Sequence, residues 1–379
     1  MHYSFRKKPT LMTIGVLKEP EFETRVSLLP ETVALLTKQD IAVWVEEDAG
    51  GKAFCSNTDY EKVGARVASR QAVIENAAIL LAIHPLPATE LQKLRSKILI
   101  GIYQPLFNRE LMLHYSEHGL TTFSLDMLPR TTRAQSMDVL SSQANIAGYK
   151  AVITAANAYS RYFPMFMTAA GSIAPAKVLI LGAGVAGLQA IATAKRLGAV
   201  VEVFDTRPAV KEEVQSLGAK FVEVEGAADA SSGGGYAVDQ TKAYKQKQQQ
   251  KIADTIAKSD IVITTAQIPG KKAPLLVTEA MVVSMRKGSV IVDLAAATGG
   301  NTPLTKDGQQ VLHHGVTIIG NSNLPATLPS DASKLYGKNL FNFLQLIVKA
   351  GEVALDWEDE LVKGACITHD GQIVNERIK

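Results

Sequence analysis

The chain has 379 residues, 46% of them hydrophobic, and a formal net charge of +3. That is enough for a large core and for more than one domain, and so balanced a charge makes no electrostatic case for a nucleic-acid partner. No run of about eighteen apolar residues offers a membrane-spanning helix, so any membrane role has to come through a partner. The N-terminus is basic, but no apolar signal segment follows it. Cys55 and Cys366 are the only cysteines, far apart and without metal-ligand spacing. They read as free thiols in a reducing compartment.

Residues 11–126 repeat a strand–helix rhythm. Apolar runs at 11–17, 41–45, 79–83, 98–102 and 120–125 read as strands, with helical patterns at 30–38, 89–95 and 109–118 between them. Pro30 sits at a tolerated first-turn position. Alternation of this kind predicts a mostly parallel sheet covered on both faces, here without a glycine fingerprint. Residues 141–160 lack strong breakers and predict a long helix leaving this domain. The apolar stretch Tyr162-Phe-Pro-Met-Phe-Met167 follows. Pro164 argues against a central strand there, and the stretch is either a subunit contact or packing on its own domain.

The most informative stretch is next, Lys177-Val-Leu-Ile-Leu-Gly-Ala-Gly-Val-Ala-Gly-Leu188. The apolar run at 178–181 suits a strand buried on both faces. Gly182, Gly184 and Gly187 then spell G-x-G-x-x-G: the first permits a tight turn, the second lets backbone approach a pyrophosphate, the third lets the helix pack closely on the strand. The helix over 185–197, opened by Val185 and Ala186, stops at Gly198. Its start offers N–H groups and a positive dipole end to an anion. The strand over 200–205 ends in Asp205, placed to accept a hydrogen bond from an adenosine ribose 2′-OH. A carboxylate there favours NAD(H) over NADP(H), with Arg207, two residues on, working against that preference.

A helix over 208–217 and a strand over 220–224 follow. The rhythm then breaks at 226–236, a glycine-rich, low-complexity stretch ending in Tyr236 that reads as flexible. A Lys/Gln/Ala-rich helix over 242–258 precedes three further strands at 260–266, 289–294 and 315–320. Each ends in a small-residue loop: 267–270 after Ala266, opened by Gln267, then 295–300 and 321–325. Such carboxyl-end loops line the ligand crevice of an open α/β sheet. An apolar helix over 340–348 lies in the tail.

Several longer strings go further than the glycine fingerprint. Met127-Leu-Pro-Arg-Thr-Thr-Arg-Ala-Gln-Ser-Met-Asp-Val-Leu-Ser-Ser-Gln143, Phe163-Pro-Met-Phe-Met-Thr-Ala-Ala-Gly171, the run 184–199 and Lys338-Asn-Leu-Phe-Asn-Phe343 resemble the NAD(H)-binding soluble component of proton-translocating nicotinamide nucleotide transhydrogenases. The resemblance covers essentially the whole chain, and it is closest to the version in which this component is a separate alpha subunit.

It implies an α/β fold of two Rossmann-like doubly wound domains with a cofactor cleft between them. Residues 1–140 plus 330–379 would form the first domain. Residues 141–329 would form the NAD(H)-binding domain, with a mobile loop at about 226–241. It also implies a homodimer that works with an NADP(H)-binding beta subunit and a second, membrane-spanning alpha subunit. The component would be cytoplasmic and peripheral on the inner face of the plasma membrane. The activity is oxidoreductase and translocase, Si-specific, exercised only with those partners: bound NADH passes hydride to NADP⁺ on the partner.

By the same resemblance, Arg130, Gln135, Asp138 and Ser141 act around the nicotinamide and its ribose. An amide and a guanidinium can orient a carboxamide and ribose hydroxyls. Gly182, Gly184, Val185, Ala186, Gly187, Asp205, Thr206, Arg207, Ala266 and Gln267 contact the nucleotide, and Tyr236 is the tyrosine of the mobile loop. No metal is implied. Read without the resemblance, Arg130 and Asp138 are surface charges near a turn and a helix start.

Alanine dehydrogenase shares this superfamily, and Arg25 matches its substrate arginine. Amino-acid oxidation needs a tuned acid and base. The lysine and histidine that supply them in that enzyme are absent from 80–85 and 100–105 here, His84 is out of register, and Ala297 stands where a carboxylate is expected. Ring-to-ring hydride transfer moves no substrate proton and needs none of these groups. A non-catalytic NAD-sensing module is the remaining alternative.

Overall fold

The computed structural model describes residues 12–224 and 241–379. Its contacts divide the chain into two units: one runs to Gln143 and takes in Leu328–Lys379, and the other is Ala144–Thr327.

The first unit is built on an eight-stranded sheet. From edge to edge its strands are Gln372–Ile373, Cys366–His369, Thr121–Ser124, Ile98–Gly101, Ile79–Leu81, Thr13–Val16, Ala42–Glu46 and Arg66–Ala68. The six strands before residue 125 pair in parallel, and the two C-terminal strands add an antiparallel edge. Side chains alternate across the pleat, so both faces are apolar. Ile79, Leu81 and Ile100 face a layer with Val33 and Leu36 of helix Pro30–Thr37 and Tyr336, Leu340 and Phe343 of helix Pro329–Ile347. Leu80 and Leu99 face Val73, Met112 and Tyr115 on the other side. Each fully buried aliphatic or aromatic side chain contributes roughly 1.5–3 kcal/mol.

The second unit carries a seven-stranded sheet in the order Lys220–Phe221, Val200–Phe204, Lys177–Leu181, Ile261–Thr264, Val290–Asp293, Val316–Gly320, Gln309–His313. All pairs are parallel except the last. Val178 and Ile180 pack on helices Val139–Ala158 and Val185–Arg196, whereas Leu179 and Leu181 pack on Lys242–Ile256 and Glu279–Ser284. Strand order reverses between Lys177–Leu181 and Ile261–Thr264. That is a topological switch point, where open α/β sheets form their ligand crevice.

Four expectations need correction. Residues 89–95 form a 3-10 turn at Ala88–Lys93, confined between Pro87 and a left-handed Ser96 at φ 57, too little chain to propagate an α-helix. Residues 208–217 split into a 3-10 turn, Pro208–Val210, and a short helix, Lys211–Ser216. The strand after them shrinks to Lys220–Phe221 at the sheet edge. The tail helix starts eleven residues early, at Pro329 rather than 340, with proline at its first turn. The stretch around Pro164 lies outside both large sheets: Phe166–Thr168 pairs only with Gly171–Ile173, and all six residues are exposed.

Candidate functional site

In the second unit the glycine triplet has a separate physical reason at each position. Gly182 lies at φ 107, and a Cβ there would collide with Thr265 Oγ1. That hydroxyl donates to the Gly182 carbonyl at 3.2 Å, tying the end of strand Ile261–Thr264 to the turn. A Cβ on Gly187 would fall inside the contact radius of the Gly182 carbonyl oxygen, so this glycine sets how closely the helix meets the strand. Gly184 differs from both: a Cβ there would meet nothing within 4 Å. Gly184 is also the N-cap of the twelve-residue helix Val185–Arg196, which no side chain caps. With this helix start uncapped and the space beside Gly184 open, the first turn at Val185, Ala186 and Gly187 is suited to an anion. Gly148 of the long helix packs so tightly on the Ala186 carbonyl that no side chain fits between them. Sequence reasoning missed this glycine because it interrupts no periodic pattern.

Asp205 is more committed than its sequence position suggests. Its Oδ2 accepts the Ala183 N–H at 2.7 Å. Its Oδ1 accepts the Arg207 N–H at 2.8 Å. The Arg207 guanidinium adds Nε to Oδ1 at 2.9 Å and Nη2 to Oδ2 at 2.8 Å. A carboxylate has about four acceptor positions, and these four contacts use that capacity. The Asp205 hydrogen bonds raise the Arg207 guanidinium above its usual value. A ribose hydroxyl must share an Asp205 oxygen or move Arg207 aside. Thr206 lies between the two, half-buried.

Ala266 and Gln267 follow strand Ile261–Thr264 on the same carboxyl side. The Gln267 amide donates to the Leu294 carbonyl at 2.8 Å, joining two strand-end loops. Tyr236 and the rest of the proposed mobile loop up to residue 240 lie outside the described residues.

The remaining predicted residues belong to the first unit and its exit helix. Asp138 is a helix cap: Oδ1 accepts the Ser141 N–H at 2.9 Å and Oδ2 the Ser141 hydroxyl at 2.6 Å, at the start of Val139–Ala158. Arg130 and Gln135 are exposed. Gln135 sits in the 3-10 turn Thr132–Met137. The next carbonyl, that of Ser136, accepts from the Nδ2 atoms of Asn339 and Asn342, each at 2.8 Å. The asparagines of Lys338-Asn-Leu-Phe-Asn-Phe343 thus hold the turn that presents Gln135.

Arg25 is occupied. Its Nε and Nη2 bind both oxygens of Glu23 at 2.9 and 2.7 Å, and Nη1 donates to Gln143 Oε1 at 2.8 Å. His84 Nε2 meets Glu23 Oε2 at 2.7 Å. Burial pushes the Glu23 carboxyl up, but its bonds to Arg25 and His84 outweigh this and hold it well below the usual range. Among the described residues no group of His, Cys, Asp and Glu side chains is arranged to hold a metal ion, and no helix is long and apolar enough to cross a membrane.

Residues 15–147 match the alanine dehydrogenase/PNT N-terminal domain and residues 151–376 the alanine dehydrogenase/PNT C-terminal domain. The chain is 48% identical to the first part of NAD(P) transhydrogenase subunit alpha of Rickettsia prowazekii, over 97% of each chain. A transhydrogenase structure from Sinorhizobium meliloti is 43% identical and superposes with a TM-score of 0.84, over 96% of this chain and 99% of that one. An L-alanine dehydrogenase structure superposes nearly as well, TM-score 0.81 over 97% and 98%, but at 25% identity. The fold is common to both enzymes while sequence identity separates them, and the chain belongs to the alanine dehydrogenase/PNT family, on its transhydrogenase alpha-subunit branch.

Proposed function

We propose that this chain is the NAD(H)-binding component of a proton-translocating transhydrogenase and exchanges hydride with NADP(H) held by a beta subunit. The observation that carries the reading is the Gly184 turn, with open space in front of an uncapped helix start. The residues fit the group. Backbone N–H groups at Val185, Ala186 and Gly187 would hold the pyrophosphate, with Gly182 shaping the turn. Asp205, Thr206 and Arg207 would meet the adenosine ribose, and Ala266 and Gln267 would line the same crevice. Arg130, Gln135, Asp138 and Ser141 would orient the carboxamide and the nicotinamide ribose. Tyr236 would cover the nucleotide.

When bound, the dihydronicotinamide ring supplies the hydride. The chain's own contribution is binding, orientation and exclusion of water. Transfer between two nicotinamide rings moves no substrate proton, so no general base is required. The state of Arg25 favours this reading over amino-acid oxidation, since the bidentate Glu23 already fills the face with which an arginine grips a substrate carboxylate.

The assembly we propose is a homodimer that reaches the inner face of the membrane through a second, membrane-spanning alpha subunit, to which proton flow is coupled. The hairpin Phe166–Thr168/Gly171–Ile173 suits a subunit contact. Met165 and Met167 are 63% and 74% exposed, and the Tyr162 and Phe166 rings stack at 4.8 Å. The test is reconstitution of the purified chain with a separately prepared NADP(H)-binding beta subunit, following hydride exchange between NADH and an NADP⁺ analogue. Exchange is expected. NADH binding without exchange would leave a non-catalytic NAD module.

A further inference from the structure

The loops after Ile261–Thr264 and Val290–Asp293 are knitted together by one side chain. Asn301 is fully buried. Its Oδ1 accepts the Ala266 N–H at 3.1 Å, and its Nδ2 donates to the Ala266 carbonyl at 2.9 Å and to the Pro274 carbonyl at 2.8 Å. Its own backbone carbonyl accepts from Leu276 and Val277, and its N–H donates to Asp293 Oδ2 at 2.7 Å. Asp293, also fully buried, accepts the Ala295 N–H and the Thr305 hydroxyl as well. The chain returns to Asp293 through Gly299 and Gly300, at φ 100 and 76. A Cβ on Gly300 would stand 2.8 Å from Asp293 Oδ2, so only glycine fits.

Binding both the N–H and the C=O of a single residue fixes the peptide planes on either side of it. Ala266 is gripped in this way. Thr265, immediately before it, bonds the Gly182 carbonyl, and Gln267, immediately after it, bonds the Leu294 carbonyl. Hydrogen bonds therefore link Asp293 to Asn301 and Asn301 to Ala266, and through the adjoining peptide bond Thr265 carries the connection to the turn at Gly182. Every polar atom of the Asn301 side chain is engaged within the protein, so it can act on a ligand only through its neighbours.

We infer that Asn301 is a positioning residue for the nucleotide site: it sets the Ala266–Gln267 loop against the glycine turn, so that the site is preorganised before ligand arrives. The inference rests on the NAD(H) reading above. The experiment combines Asn301→Ala with hydrogen–deuterium exchange and NADH titration by fluorescence, each beside the unaltered chain. Exchange should rise at least about tenfold in peptides spanning 265–270, where the Ala266 N–H loses its acceptor. It should stay unchanged in strands Ile261–Thr264 and Val290–Asp293. NADH affinity should fall about tenfold, and the thermal midpoint should fall as well, since the Ala266 N–H and the Ala266 and Pro274 carbonyls lose a buried partner.

Unchanged loop exchange, or a rise shared by the whole unit, would overturn the inference, as would a fall in midpoint with affinity intact. Should the variant not fold, exchange in the unaltered chain decides: an Ala266 amide exchanging like an unstructured peptide refutes the grip. The NAD(H) reading fails separately, if the unaltered chain binds no NADH, and the exchange result does not depend on that outcome.

Discussion

Arg207 closes its guanidinium over Asp205, Nε and Nη2 each meeting one carboxylate oxygen, in an ion pair whose side chains are only 18% and 6% exposed. The residue expected to favour NAD(H) and the residue expected to oppose it are one unit. With a nucleotide bound as proposed, the carboxylate would cancel the cation that otherwise attracts a 2′-phosphate, and the arginine would limit how the carboxylate meets a 2′-hydroxyl.

This relationship predicts an asymmetry. The chain should prefer NAD(H) over NADP(H) by about 2 kcal/mol or more. Asp205→Asn should narrow that gap from both ends, weakening NADH and leaving Arg207 without its anion beside the ribose. Arg207→Leu should leave the preference intact or widen it. Calorimetric titration of both nucleotides against both variants tests this, and equal affinities in the unaltered chain would remove Asp205 from the site.

The core of each sheet was legible because buried parallel strands such as 178–181 and 79–83 are continuous apolar runs, and the helix after the glycine triplet carries both its start and its stop in sequence. The edges were not. Arg66–Ala68 and Gln372–Ile373 are two or three residues long and too short to show a period, and Lys220–Phe221 keeps only the start of the strand expected over 220–224. Gln309–His313 is an exposed antiparallel edge beside glycine turns, and Cys366–His369 pairs with Thr121–Ser124 across most of the chain. The glycine triplet was readable because backbone geometry demands it. The grip of Asn301 on Ala266 was not, because a buried side-chain amide bonding backbone leaves no pattern in composition or spacing. Asp205 and Arg207 could have been paired from their two-residue spacing at a strand end.

The Glu23–Arg25 pair yields a stability prediction. Both side chains are almost wholly buried, so Glu23→Ala would leave a buried guanidinium without its anion. That should cost about 3–5 kcal/mol, read from urea denaturation. The unaltered chain should neither oxidise alanine nor reduce pyruvate with ammonia. Turnover of either at neutral pH would sink the transhydrogenase reading.

Glu19 gives a pH dependence of unusual sign. Burial pushes its carboxyl up, against the N–H bonds from Ile83 and His84, from the ordinary 4.5 to about 7. Below pH 4.5 the group is protonated in both folded and unfolded chains, and the folded state carries no penalty. As pH rises from 4.5 to 7 the unfolded chain ionises first, so stability is lost over that window, by on the order of 3 kcal/mol, and then levels off. Glu19→Gln should flatten this slope whatever its effect on absolute stability. Denaturation midpoints at pH 5 and 7.5 measure it, and an equal slope in variant and parent would rule Glu19 out as the source.

Gln135→Asn keeps the amide and shortens its arm. If Gln135 orients the nicotinamide side, NADH affinity should hardly change while hydride exchange with the beta subunit falls on the order of a hundredfold, the cost of about 1 Å of misplacement. Asn339→Ala removes one of the two donors that pin the neighbouring Ser136 carbonyl and should lower the rate in the same direction but less, since Asn342 remains. An unchanged exchange rate in Gln135→Asn would assign the residue to the surface.

The glycine triplet offers a test that separates architecture from ligand. Gly187→Ala places a methyl against the Gly182 carbonyl, where backbone must move. It should destabilise the second unit by several kcal/mol, as overpacking at a rigid contact does, about 1–3 kcal/mol being common and backbone clashes costing more. Gly184→Ala meets open space and lies at φ −77, ψ −170, extended backbone that alanine adopts freely. Its thermal midpoint should match the parent's. The new methyl stands where the backbone must approach a pyrophosphate, so NADH affinity should drop at least about tenfold, the loss of one phosphate-binding hydrogen bond or more. The two substitutions add the same methyl three residues apart and should fail in opposite ways, one in folding and one in binding. Thermal denaturation paired with NADH titration of both variants decides it, and a Gly184→Ala protein with full stability and full affinity would move the nucleotide away from this turn.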